Sequence, residues 1–203
     1  MSADDLILYT NPKSRGRIAR WMLEETGVPY ATEILEYGTT MKSPEYLAIN
    51  PMGKVPAIKH GDVIVTECAA ICAYLADAFP DAGLAPPIAD RGPYYRWLFF
   101  AAGPLESAVV NASLGFQVPE EREVTAGYGT LERTLDAIES AVSTTPYVAG
   151  DSFTAADVYI GSQISWGLQF GTIEKRAGFE RYAEKVTDRD AYRRAGEIDG
   201  GMG

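Results

Sequence analysis

The chain has 203 residues, of which 46% are hydrophobic and 23% charged, a composition typical of one large or two small globular domains. Its formal net charge of -10 argues against nucleic acid or an anionic membrane as a partner, although a locally positive site for a small anion is compatible with it. No apolar run approaches the roughly 20 residues of a membrane helix, and the acidic N-terminus lacks an apolar signal core. We therefore expect a cytoplasmic protein without a membrane partner.

The first 80 residues alternate between strand and helix patterns. The predicted elements are a strand at 6–9, a helix at 14–27, a strand at 29–35, a short helix at 43–47, hairpin strands at 55–59 and 63–65, and a helix at 67–79. A strand, a helix and a second strand in succession favour parallel pairing with a right-handed crossover. The first half is therefore predicted to be an α/β domain.

The second half reads as helical throughout. Prolines and a glycine mark a linker at 81–90, so we predict domains at 1–80 and 91–203. The predicted helices are 91–115, 120–142, one opened by the capping box Thr154 to Asp157, 175–186 and 189–195, with a frayed tail at 197–203.

The two cysteines, Cys68 and Cys72, lie four residues apart on a predicted helix, and His60 is the only histidine. This spacing is not that of a Cys-x-x-Cys redox motif, and no His-rich cluster accompanies it. We therefore expect no metal site.

Pro56 follows a turn that contains Gly53 and opens a predicted strand. Because proline has no N–H, it suits an edge strand or a cis bond. A cis bond would turn the backbone N–H and C=O of Val55 outward, where an extended peptide could pair with them. A plain turn proline is the simpler interpretation of this residue alone.

Two predicted helix N-termini are candidate anion sites. At one, a ligand carboxylate could bind the Cys68 amide while Glu67 holds a ligand ammonium, unless Glu67 only caps the helix electrostatically. At the other, the Ser14 hydroxyl could cap the helix or donate to a ligand thiolate. Arg15 and Arg17 oppose the helix dipole there, which points to an anionic partner. A solvated surface is the simpler interpretation of each arginine taken singly.

Three motifs occur in order along the chain. Residues 50–56 have the pattern Asn-Pro-x-Gly-x-Val-Pro, residues 67–71 the pattern Glu-x-x-x-Ile, and residues 154–157 are a capping box that ends in aspartate. Together with the helical second half, they resemble the cytosolic glutathione S-transferase superfamily over essentially the whole chain. The resemblance implies a thioredoxin-like N-terminal domain that binds glutathione, an all-α C-terminal domain that lines the pocket of the second substrate, and a homodimer.

Residue roles follow from this resemblance. It implies that Val55 pairs through its backbone with the cysteinyl part of glutathione, and that Pro56 is cis. Glu67 and Cys68 would hold the γ-glutamyl end, and Lys54 would lie near the glycyl carboxylate. The implied glutathione-binding residues are Arg15, Lys54, Val55, Pro56, Glu67 and Cys68. Thr154 and Asp157 would be structural.

This sequence departs from the family pattern at two positions. Cys68 stands where a serine is usual, so the backbone contact survives and the hydroxyl contact does not. Serine-type classes have a catalytic hydroxyl at the first helix N-terminus, which matches Ser14, whereas bacterial cysteine-type classes have a cysteine one residue further on, where this chain has Arg15. Tyr9 lies close to the position where tyrosine-type classes place their catalytic phenol. Alternatively, its side chain points into the core. We favour Ser14, and the class, theta-like or beta-like, stays open. The alternatives to Ser14 are Thr10, Asn11 and Arg17.

The expected activity is the ionisation of glutathione and its addition to a small hydrophobic electrophile, in a role such as detoxification. The alternatives are a glutathione-dependent peroxidase or disulfide reductase, or a non-catalytic ligand-binding protein on the same fold. The electrophile pocket should be apolar and aromatic. Its candidate residues are Tyr94, Trp97, Phe100, Phe116 and Trp166.

Overall fold

The computed structural model describes residues 5–200. Its one sheet has the strand order β2-β1-β3-β4, with β1 at Leu6–Thr10, β2 at Ala31–Ile34, β3 at Ala57–His60 and β4 at Val63–Thr66. β1 pairs with β2 in parallel and with β3 antiparallel, and β3 and β4 form an antiparallel hairpin. This mixed sheet confirms the thioredoxin-like first domain.

Three helices accompany the sheet: α1 at Gly16–Thr26, α2 at Pro44–Leu47 and α3 at Cys68–Ala78. The predicted helix signals are confirmed at two ends. Gly27 ends α1 in the left-handed region, at φ 69°, which glycine adopts without steric cost. Ser43 caps α2 by accepting a hydrogen bond from the Tyr46 N–H.

The second half is helical, as expected. Its helices, together with the last helix of the chain, are α4 at Gly92–Phe100, α5 at Glu106–Ser113, α6 at Leu131–Thr144, α7 at Ala155–Phe170, α8 at Ala177–Thr187 and α9 at Asp190–Ile198. A π-helical turn at Ala101–Leu105, which contains Pro104, connects α4 to α5. The predicted helix at 91–115 is thus two helices joined by a wider turn, because proline cannot donate a backbone hydrogen bond.

The predicted helix at 120–142 is wrong over about its first half. Only a single turn of 3-10 helix forms at Glu120–Arg122, and α6 begins at Leu131. Gly129 has φ 66°, and Thr130 is extended at φ -123°. The Thr130 side chain then accepts the Arg133 N–H at 3.2 Å. A left-handed glycine followed by an extended N-cap ends any helix that approaches from the N-terminal side.

The capping box that opens α7 is confirmed, and its aspartate is buried. Asp157 accepts hydrogen bonds from the backbone N–H of Val148 at 2.8 Å and of Thr154 at 2.9 Å, and from the Tyr182 hydroxyl at 2.7 Å. Burial raises the pKa of the Asp157 carboxyl, although these hydrogen bonds act in the opposite direction.

Contacts divide the chain into two units. Within residues 5–200, those up to Leu84 form one unit with those from Asp188 onward, and Ala85–Thr187 form the other. In the first unit α9 packs on α1, and the Arg20 Nε donates to Asp199 Oδ1 at 2.8 Å, with both side chains buried. The frayed tail expected from residue 197 is therefore wrong for residues 197–200. Its remainder, and the first four residues that the signal-peptide argument used, lie outside the described residues. Between residues 5 and 200 no helix is long and apolar enough to cross a membrane.

Candidate functional site

The peptide bond between Val55 and Pro56 is cis, as the resemblance implies. The segment before it is fixed because the Lys54 carbonyl accepts the Tyr46 hydroxyl at 2.6 Å and the Asn50 side-chain amide at 2.8 Å. β3 begins only at Ala57, so the strand is shorter than expected. The Val55 backbone N–H and C=O form no backbone hydrogen bond with residues 5–200. They are therefore available to an extended peptide.

Tyr9, at the end of β1, points into the core. Its ring lies 5.7 Å from that of Tyr46 and packs on a buried cluster that Val55 also contacts. Burial, with the negative charge of Glu33, raises the pKa of the Tyr9 phenol. The side chain is thus a neutral phenol in a packed cluster, which favours the core interpretation of this residue.

Ser14 lies two residues before α1, in a turn, and the N-cap residue is Arg15. The Ser14 hydroxyl donates to the Asn11 carbonyl at 2.7 Å and accepts the Gly16 N–H at 2.9 Å. It therefore caps the helix in the way that the simpler interpretation predicts. To donate to a thiolate, the hydroxyl would have to give up its bond to Asn11.

Of the alternatives to Ser14, the Asn11 side chain makes hydrogen bonds through both its nitrogen and its oxygen, whereas the Thr10 hydroxyl makes none within residues 5–200. The Asn11 amide donates to the Leu35 carbonyl at 2.8 Å, and its oxygen accepts the Lys13 N–H at 2.9 Å. The Thr10 hydroxyl is buried and has no hydrogen-bond partner among residues 5–200. A Cβ on Gly16 would overlap this hydroxyl, so residue 16 must be glycine for α1 to approach β1 this closely.

The N-termini of α1 and α3 meet. The Cys68 thiol is buried and lies 3.6 Å from the Arg15 carbonyl. Arg17 is half-buried, and its guanidinium forms no hydrogen bond or ion pair within the described part of the chain. α1 has no acidic residue in its first turn. The positive charges of Arg15 and Arg17 therefore lie at the N-termini of α1 and α3, where the two helix dipoles also favour an anion.

Glu67 has an unusual backbone. It is the one non-glycine residue with a positive φ within residues 5–200, at φ 68° and ψ 122°. Such a conformation costs on the order of 1–3 kcal/mol and is concentrated at functional sites. The side chain is exposed and makes no capping hydrogen bond to α3. An electrostatic role at the start of this helix, the simpler interpretation of Glu67, stays a prediction. Its carboxylate stays available beside Cys68.

Sequence reasoning missed Lys42. The Lys42 ammonium donates to the Met52 carbonyl at 3.0 Å and lies against Gly53, which has φ 57°. It therefore adds a second cation, besides the exposed Lys54, near the segment that carries Val55. A lysine in a short 3-10 helix has no sequence signal of its own, and only the turn at 50–53 brings it here.

The five aromatic residues expected in the electrophile pocket do not share one environment. Tyr94 and Trp97 are buried on α4, and Phe100 packs on Trp97 with ring centroids 5.3 Å apart. Trp166 is half-buried on α7. Phe116 is 65% exposed and lines a cavity that the other four do not touch.

Tyr46, whose hydroxyl bonds to the Lys54 carbonyl, should make the stability of the protein depend on pH in the alkaline range. Burial raises the pKa of Tyr46 to about 12, and it raises that of Tyr30 to about 12 as well. Between about pH 10 and pH 12 the unfolded chain therefore loses phenol protons that the folded chain retains, so stability falls as the pH rises. We expect Tyr46→Phe to flatten this fall by up to about 1.4 kcal/mol per pH unit, measured by urea unfolding at pH 9, 10 and 11. Tyr37→Phe, at an exposed tyrosine, should match wild type; equal slopes for all three proteins would contradict the assignment.

Comparisons with known proteins agree with this geometry. Residues 15–78 match the family model for the glutathione S-transferase N-terminal domain. The chain is 32% identical over 155 residues to glutathione S-transferase GstA of Escherichia coli O157:H7, covering 72% of this chain and 76% of that protein.

Two solved structures agree over almost the whole chain. A glutathione transferase from Methylococcus capsulatus superposes with a TM-score of 0.79 at 28% identity, over 96% of this chain and 98% of that one. A sphingomonad glutathione S-transferase in complex with glutathione has a TM-score of 0.77 at 27% identity, over 96% and 98%. The chain therefore belongs to the glutathione S-transferase superfamily, and glutathione transferase is the enzyme class that this membership assigns to it.

Proposed function

We propose that the chain binds glutathione as an added strand along Val55, ionises its thiol at the start of α1, and adds the thiolate to a small hydrophobic electrophile. One observation carries this proposal. Beside the cis bond, the backbone N–H and C=O of Val55 form no backbone hydrogen bond with residues 5–200. The glutathione complex of the similar sphingomonad protein supports the ligand.

The charges along this segment match those of glutathione. Glu67, exposed at the start of α3, would hold the γ-glutamyl ammonium, and the backbone N–H of Cys68 would hold the γ-glutamyl carboxylate. The Lys54 and Lys42 ammonium groups would approach the glycyl carboxylate at the other end of the tripeptide. A peptide with an ammonium at one end and carboxylates at both ends suits this order of charges.

Thiol ionisation needs only modest stabilisation. A free thiol has a pKa of about 8.5, and lowering it by about two units requires about 2.7 kcal/mol. One hydroxyl hydrogen bond to a charged group supplies about 1.5–3 kcal/mol, and a helix N-terminus adds about 0.3–1 kcal/mol. The Ser14 hydroxyl, the α1 N-terminus and the nearby Arg15 or Arg17 together suffice without a general base, and they also offset the bond to Asn11 that the hydroxyl gives up.

The helices from α4 onward would supply the electrophile pocket, and the enzyme would act in the cytoplasm as a homodimer. Tyr95 and Phe99, one turn apart on α4, are 41% and 72% exposed. In a homodimer these two exposed aromatic side chains would be candidate contact residues. The dimer is checked by measuring the mass in solution for wild type and for Phe99→Glu.

The proposal is tested by calorimetric titration of glutathione into wild type and Glu67→Gln. We expect Glu67→Gln to weaken binding about 10- to 100-fold, because it removes one charged hydrogen bond worth about 1.5–3 kcal/mol. Glu121→Gln, at an exposed glutamate of the helical unit, is the control and should bind like wild type. Parallel assays with 1-chloro-2,4-dinitrobenzene and with cumene hydroperoxide separate conjugation from peroxidase chemistry. If wild type does not bind glutathione, the proposal is wrong.

A further inference from the structure

A cavity in the helical unit lies between the end of α5 and the segment that leads to α6. Its volume is about 380 Å³, which is within the range of sites for small organic ligands. The lining residues are Ala108, Ala112, Gly115, Phe116, Gln117, Val118, Tyr128, Gly129, Thr130 and Leu131. All of them belong to one unit of the chain, so the shape of the cavity does not depend on the glutathione site.

No lining residue of this cavity is Asp, Glu, Lys, Arg or His, although the chain carries a net charge of -10. Charged side chains of the same segment pair with each other instead, as Arg133 does with Glu123 at 3.0 Å. A charged ligand would lose hydration in the cavity without gaining a side chain of opposite charge, which is costly. The walls therefore select an uncharged ligand.

The aromatic wall is held in place by the backbone. α5 ends in a turn in which Gly115 has φ 77° and the Phe116 N–H donates to the Asn111 carbonyl at 2.9 Å. This turn leaves the Phe116 ring at the cavity and 65% exposed. An aromatic ring is a large apolar surface whose burial is favourable, so a flat apolar ligand that covers it is stabilised.

Two polar groups at the cavity have hydrogen-bonding capacity to spare. The Tyr128 hydroxyl accepts the Asn111 side-chain amide at 2.9 Å, and within residues 5–200 its own proton has no acceptor. The Gln117 amide makes no hydrogen bond within the same range. The Tyr128 hydroxyl can donate its proton to a ligand. The ligand should therefore carry a hydrogen-bond acceptor, such as a carbonyl oxygen.

From these walls and donors we propose that the cavity is a binding site for small, uncharged aromatic molecules that carry a hydrogen-bond acceptor. Phe116 provides the stacking surface, and Tyr128 orients the acceptor. The site binds its ligand whether or not glutathione is present.

The test uses two naphthalene dyes and no glutathione. Prodan is uncharged and has a carbonyl group, whereas 8-anilino-1-naphthalenesulfonate has a similar ring system with a sulfonate. We expect fluorescence titration to show micromolar binding of Prodan and at least 10-fold weaker binding of the sulfonate. Equal affinity for the two dyes would overturn the proposed selectivity.

Variants then locate the site. Ala112→Phe fills the cavity from α5 and should weaken Prodan at least 10-fold, while Ser113→Phe, one residue further on the same helix, should leave the affinity unchanged. Tyr128→Phe should weaken Prodan binding about 3- to 10-fold. If Ala112→Phe does not fold, Phe116→Ala replaces it, because Phe116 is exposed and its loss removes the stacking surface. Prodan affinity that none of the cavity variants changes would place the dye elsewhere and overturn the proposal. Because glutathione is absent, this outcome leaves the proposed transferase activity untouched.

Discussion

Replacing Ser14 with alanine is expected to raise the pKa of the bound glutathione thiol by about one to two units and to lower kcat/KM about 10- to 100-fold. The reason is the loss of one hydrogen bond to a thiolate, worth about 1.5–3 kcal/mol, or about 1.4 kcal/mol per pKa unit. The measurement is the ultraviolet absorbance of the thiolate in the glutathione complex from pH 5 to pH 9. At a pH well below the pKa of the bound thiol, the affinity of Ser14→Ala for glutathione should stay close to that of wild type.

Two further variants make this result specific. Ser14→Thr keeps a hydroxyl and should retain most of the thiolate absorbance, whereas Ser113→Ala removes an exposed hydroxyl from the helical unit and should have no effect. In the unliganded chain the Ser14 proton is donated to the Asn11 carbonyl. If Ser14→Ala ionises the thiol as wild type does, the wild-type Ser14 hydroxyl keeps its bond to Asn11 in the glutathione complex, and Ser14 is only a cap. The buried Thr10 hydroxyl and the Arg17 guanidinium then become the groups to replace.

Asp157→Ala should lower the free energy of unfolding of the helical unit by about 3–5 kcal/mol. The substitution leaves the N–H groups of Val148 and Thr154 and the hydroxyl of Tyr182 buried without an acceptor. Each such group costs about 1–3 kcal/mol, and the aspartate itself is fully buried. Urea unfolding monitored by circular dichroism measures the loss, and Asp151→Ala, at an exposed position six residues earlier, is the matched control.

Asp157→Asn adds a pH test. Because burial raises the folded-state pKa of Asp157 above that of the unfolded chain, the contribution of this carboxyl is greatest below the unfolded pKa of about 3.9 and decreases as the pH rises through the folded pKa. The stability of wild type relative to Asp157→Asn should therefore decline with rising pH in that window. A difference that instead grows with pH would mean that the hydrogen bonds outweigh burial.

Local signals predicted most of the fold, because they act within a few residues of each helix end. Gly27, Ser43 and the Thr154 capping box all end or begin helices where expected. The same local reasoning failed at residues 123–130, where the apolar spacing continues but Gly129 adopts a left-handed conformation. It also failed at the C-terminus, because the partner of Asp199 is Arg20, 179 positions away. No periodicity can report a contact at that distance along the chain.

The candidate site divides in the same way. The cis bond before Pro56 could be inferred because a motif specifies it. The positive φ of Glu67 and the position of Lys42 could not, since each depends on how the turn at 50–53 or the start of α3 is placed in space. Helix capping by Ser14 is a local bond, so the sequence offered it as an alternative but could not choose it over donation to a thiolate.

The ion pair between Arg20 and Asp199 has a consequence for biosynthesis. It joins the first helix of the chain to its last helix, so the unit that carries Val55 and Glu67 is encoded at both ends of the sequence. During synthesis α1 leaves the ribosome well before α9, so its surface around Arg20 and Trp21 has no partner until the residues from Asp188 onward are released. A released chain shortened before residue 188 would therefore keep every residue of the unit at 85–187 but would lack α9 in the unit that carries Val55 and Glu67.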